Sequence, residues 1–163
     1  MRKLIALTIV VLFIGTAFPL NGGELFEFHR LTPVVAPFTG NANPIRNLGG
    51  GGIPWKITSG SAEMDRSGRL EVHVRGLVLA AGPAAGTNPV ANFAAILSCQ
   101  SIDQAGAPSI VNLVAGTAPA TAVGDAEIEG TVTPPSPCIA PIVFVAIPAT
   151  ATAPARWLAA SGF

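Results

Sequence analysis

The chain predicts an all-β fold, an antiparallel β-sandwich of about seven strands held by one disulfide, and three observations carry that prediction. From Ile53 onward, short runs rich in Val, Ile and Thr are punctuated by Gly- and Pro-containing turns, with none of the longer 3.6-period segments that α/β units require. Several of these runs alternate apolar and polar residues, which gives a strand one dry and one wet face. One run, Cys138 to Ile147 (CIAPIVFVAI), has no charged residue, and its core of Ile142, Val143, Phe144, Val145 and Ile147 suits a central strand buried on both faces.

The chain divides into three parts. Met1-Arg2-Lys3 followed by the apolar run Leu4 to Phe18 has the charged start and short hydrophobic stretch of a secretory signal peptide, assigned to residues 1–17. The run is about 15 residues against the roughly 20 of a bilayer span, so no lasting transmembrane anchor is expected after cleavage. Gly15-Thr16-Ala17 places the cut after Ala17, with Gly22 or Gly23 as alternatives, and no cysteine lies nearby to take a bacterial lipid anchor. The expected location is secreted, extracellular or periplasmic. Residues 18–52 hold seven glycines and four prolines and read as a Gly/Pro-rich flexible arm with one short strand at Leu25 to Leu31. The run Gly49 to Gly52 lacks the following Lys and hydroxyl of a phosphate loop.

Residues 53–163 form the expected sandwich domain. Trp55 to Met64 and Arg69 to Ala80 flank Asp65-Arg66-Ser67-Gly68, a turn whose Gly suits the left-handed position of a hairpin loop. Leu70, Val72 and Val74 alternate with Glu71, His73 and Arg75, and Gly76 then shifts the phase as a bulge or bend would. After a loop over Ala81 to Asn88, Phe93, Ala95, Leu97 and Cys99 share one face of a strand, which aims the Cys99 sulfur at the core. Ser109 to Thr117 reads as a strand, and between Ala126 and Val132 the residues Ala126, Ile128 and Val132 point inward. Pro134, Pro135 and Pro137 stiffen the approach to the central strand, Pro148 closes it, and a last strand runs from Arg156 to Phe163, with Trp157 and Phe163 closing one end of the core.

Charge narrows the possible partners. Loss of Arg2 and Lys3 with residues 1–17 leaves seven basic against nine acidic side chains, a net charge of about −2, and no basic cluster that nucleic acid would reward. Half of the residues are hydrophobic and 11% are charged, ample material for a core under a bland surface. The two cysteines, Cys99 and Cys138, are expected to pair with each other, because an exported protein meets an oxidising compartment and a cysteine pair alone is a poor metal site.

Asp125, Glu127 and Glu129 fall at alternate positions, so their carboxylates line one side of a strand about 7 Å apart. Such a stripe could take part in a calcium site, or it is a solvated face that discourages edge pairing. Glu71, His73 and Arg75 make a similar polar face, and the two stripes are able to pair across strands. A zinc or copper site would need both histidines, His29 and His73, together with further ligands, and no His-x-His or His-x-x-x-His spacing forms one in advance. No Gly-x-Ser-x-Gly elbow is present, so no catalytic residue and no cofactor is assigned.

Gly51-Gly52-Ile53-Pro54-Trp55, Arg75-Gly76-Leu77-Val78-Leu79, Gly86-Thr87-Asn88-Pro89, Leu97-Ser98-Cys99, Pro137 to Val145 and Ser161-Gly162-Phe163 together resemble a group of small secreted bacterial proteins of unassigned function. The resemblance covers about residues 45–163 and implies one exported domain with a paired cysteine. The stretches Gly60 to Met64 and Leu70 to Leu77 are similar to the opening hairpin of CHRD domains, relatives of the copper-zinc superoxide dismutases. The histidine motif of those domains is missing, so metal binding and dismutase activity are not carried over. The strand arrangement is expected to be immunoglobulin-like or superoxide dismutase-like. The expected function is that of a secreted, non-enzymatic structural or binding module, its partner a protein or a cell-surface polymer. The alternative is a metal-binding protein or metal-dependent enzyme of superoxide dismutase-like fold, drawing on His29, His73, Asp125, Glu127 and Glu129.

Overall fold

A computed structural model describes residues 23–162. The signal peptide over 1–17, the cut after Ala17 or at Gly22, and the role given to Phe163 lie outside the described residues.

Those residues form strands and no helix: β1 (Glu24–Phe28), β2 (Thr32–Pro33), β3 (Gly49–Gly50), β4 (Trp55–Lys56), β5 (Ser59–Asp65), β6 (Arg69–Arg75), β7 (Val78–Leu79), β8 (Asn92–Ile102), β9 (Pro108–Pro119), β10 (Ala126–Thr131), β11 (Ile139–Ile147) and β12 (Arg156–Ala160). Beyond Ile53, seven strands reach five residues or more, as the alternation predicts. One sheet has the order β1-β5-β6-β10, and a second has the order β2-β12-β11-β8-β9 with β3 also on β12, while β4 pairs with β7 alone. All pairings are antiparallel except β3 with β12.

The predicted hairpin is β5–β6, turning through Arg66 to Gly68, with Gly68 at φ 89°. Its flanks are shorter than expected because Gly76, at φ 65°, bends the chain, and its N–H is taken by Asp125 Oδ1 at 2.9 Å. Trp55–Lys56 and Val78–Leu79 thereby split off as the separate β4–β7 pair.

β11 is central, between β8 and β12, and Val143, Phe144, Val145 and Ala146 are all buried. Its two faces are covered by different parts of the chain. Residues 34–51 are tied at both ends to β12, where Val34 N–H donates to Leu158 O and Gly51 N–H to Trp157 O, and between them Arg46 O accepts from Asn112 Nδ2 while Ile45 and Leu48 pack against the core. Phe144 also packs on Trp157, with ring centroids 6.0 Å apart. The opposite face, with Phe93, Leu97, Val143 and Val145, is left for Met64, Leu70, Val72, Val74 and Ile128 of the four-stranded sheet, all buried. Each fully buried side chain of this size contributes about 1.5–3 kcal/mol.

The flexible-arm expectation for residues 18–52 does not describe residues 23–52. They supply β1, β2 and β3, and Leu31 and Val34 belong to the core. Within the glycine run, Gly49 and Gly50 serve close packing instead. A Cβ on Gly50 would run into the Phe38 carbonyl and the Val34 side chain.

Cys99 and Cys138 are bonded, with Cα atoms 4.9 Å apart at a sequence separation of 39. Cys99 is fully buried, and the bridge ties β8 to the residue that opens β11.

Candidate functional site

The ionisable side chains singled out in the sequence gather on the outer face of the four-stranded sheet. β10 lies antiparallel to β6 with Glu127 opposite His73 and Glu129 opposite Glu71, so the two polar stripes meet. The alternation that turns Val72, Val74 and Ile128 inward leaves no other direction for these groups.

Their contacts are mutual. Arg75 reaches Glu127 Oε1 at 3.0 Å and Asp125 Oδ2 at 3.7 Å, and His73 Nδ1 lies 4.0 Å from the same Glu127 oxygen. Arg69 pairs with Glu71 and, at 3.1 Å, with Glu129. The hydrogen bond to Glu129, with the nearby charges of Glu71 and Glu129, raises the Arg69 pKa above its ordinary value. At the hairpin turn, the Ser67 hydroxyl, with the Arg69 and Ser67 amides, donates to Asp65 and lowers its pKa.

The register also draws in two acids that the alternation within single strands does not reveal. Glu27 of β1 faces Glu63 of β5, Glu63 faces Glu71, and Glu71 faces Glu129, so four glutamates form one row across the sheet. Like charges directly opposite repel; Arg69 offsets this at the Glu71–Glu129 end of the row, and His29 Nδ1 lies 3.1 Å from Glu27 at the other.

Of the metal candidates, Asp125 binds the Gly76 amide and approaches Arg75, Glu127 and Glu129 are each bonded to an arginine, and His73 lies near Glu127. His29 follows β1 at the far side of the sheet, 3.1 Å from Glu27, with β5 between its strand and that of His73. The structure therefore joins His73 with the acidic stripe and separates His29 from both. Among the described residues no group of three or more His, Cys, Asp or Glu is placed to hold a metal ion.

An apolar groove of about 440 Å³ opens at one end of the sandwich, lined by Leu25, Phe26, Pro134, Pro135, Cys138 and Pro141. The prolines are visible in the sequence, but their neighbours Leu25 and Phe26 come from more than 100 residues away, which no local pattern reports. Among the described residues, no helix is long and apolar enough to cross a membrane.

Comparison of the chain with protein-family models, with curated proteins and with solved structures found no match.

Proposed function

We propose that the protein is a secreted structural or binding module working at or outside the cell surface. The observation that carries this reading is the outer face of the four-stranded sheet, where acids and bases are spread across neighbouring strands as a lattice of ion pairs. Such a lattice recognises by charge and shape, whereas acid/base or metal chemistry needs groups converging on one reacting point. The disulfide supports the reading, since Cys99–Cys138 fits an oxidising compartment and fastens the strands that form the core. The resemblance to small secreted bacterial proteins agrees with it. The partner is a protein or a cell-surface polymer, met through this polar face or the proline-lined groove.

The alternative, a metal-binding protein or metal-dependent enzyme of superoxide dismutase-like fold, draws on the proximity of His73 to Glu127. Metal analysis of the purified protein, with melts in the presence and absence of Cu, Zn and Ca, separates the two. The module reading expects no stoichiometric metal and no shift. A melt raised by several degrees and returned to baseline in His73→Ala would establish the alternative in its place.

A further inference from the structure

β9 ends the six-stranded sheet, with β8 on one side and, among the described residues, no strand hydrogen-bonded to the other. Such an edge presents unpaired N–H and C=O groups, and proteins usually guard it with charge, with proline or with a covering segment. Along β9 the usual guards are sparse. No residue between Asp103 and Asp125 is charged, and Pro108 and Pro119 occupy only the two ends of the strand.

Part of the strand is covered. At Ala115 and Gly116 it presses against β10 so closely that a Cβ on Gly130 would meet the Ala115 carbonyl, and the β8–β9 register shifts at the same place. The open and regular stretch is Ile110 to Val114. There Ile110, Val111 and Leu113 are half-buried, and Val114 is 59% exposed.

This stretch, Ile-Val-Asn-Leu-Val, has the same polarity pattern in both directions, two apolar residues on either side of a central Asn. Laid antiparallel on itself about a two-fold axis through Asn112, it sets Ile110 against Val114 of the second copy and Val111 against Leu113. The positions flanking the axis then match apolar to apolar, and the two Asn112 residues, each with its Nδ2 donating to Arg46 O of its own copy, meet on the axis. We propose that the Ile110–Val114 edge pairs with the same edge of a second copy, making the two six-stranded sheets continuous across the dyad. The lack of charge selects this occupant: a copy of itself meets no like-charge repulsion, whereas an acidic or basic strand would find no counter-charge. The pairing is isologous, so it closes at two copies. A ladder of five residues is small beside permanent interfaces, so the dimer forms with rising concentration. The inference does not depend on the module reading, because a metal-binding chain with this edge would associate in the same way.

Sedimentation velocity of the purified protein from about 1 µM to about 500 µM, spanning the range of weak association, tests it. The expected result is a monomer at the low end and a dimer at the high end. Val114→Lys keeps the protein monomeric throughout with its melting temperature unchanged, and Val123→Lys, at a 63% exposed turn residue, leaves dimerisation intact. Hydrogen exchange of wild type slows over residues 109–114 as concentration rises. A monomer at every concentration, a dimer that persists in Val114→Lys, or exchange over 109–114 that ignores concentration would overturn the proposal.

Discussion

Glu71 and Glu129 stand directly opposite one another in the β6–β10 ladder, and the guanidinium of Arg69 pairs with both carboxylates. One cation thus bridges two acids that would otherwise repel across adjacent strands. Replacing Arg69 with Gln removes that bridge and leaves Glu71 facing Glu129 without the cation they share. The expected outcome is a melting temperature lowered by about 2–4 °C at low salt. Because Arg69 and Glu129 are exposed, the deficit shrinks in about 0.5 M salt, where charges more than a few ångströms apart are screened. A deficit equal at both ionic strengths would show that Arg69 acts through packing of its stem.

Asp65 provides a pH signature. Its pKa is lowered by the Ser67 hydroxyl and by the Arg69, Ser67 and Gly68 amides. The folded value lies below that of the unfolded chain, so the stabilisation is complete above about pH 4 and is lost as pH falls through the lowered folded value. Melts of wild type and Asp65→Ala, compared from about pH 6 to about pH 2, should therefore converge on acidification. A gap that stays constant or widens would contradict this.

The Cys99–Cys138 bridge closes a loop of about 40 residues, and loop-closure entropy gives it a worth of about 4 kcal/mol. The double variant Cys99→Ala/Cys138→Ala is expected to unfold at correspondingly lower denaturant concentration. In the native wild type, alkylation followed by mass spectrometry should find no free thiol, and reduction should need unfolding, because Cys99 is fully buried. Two alkylated cysteines under native conditions would show the assignment to be wrong.

The glycine run tests whether residues 23–52 belong to the core. Gly50→Ala forces a methyl group into the Phe38 carbonyl and should destabilise by about 1–3 kcal/mol. At Gly52 a Cβ meets nothing within 4 Å, and Gly52→Ala should leave stability unchanged or raise it by about 0.5 kcal/mol. A flexible tether would make the two substitutions alike in denaturant melts.

What the sequence by itself determined is local and periodic. Alternation of period two marked β6 and β10, the charge-free run from Ile142 to Ile147 marked the central strand, Gly68 marked the hairpin, and two cysteines in a chain with an export-type start marked the disulfide. These features are legible because a strand's side-chain period and a turn's backbone demand are written within a few residues of each other. Register and the packing of distant segments were decided only by the tertiary structure. Glu27 and Glu129 lie about 100 residues apart in sequence, yet three successive strand pairings set them in one row. Residues 23–52 show the same limit, since their glycines carry no periodic signal, and the need for glycine at Gly50 arises from the Phe38 carbonyl against which the folded chain presses it. Composition describes what a segment can do alone, and close approach between backbones is a property of the pair.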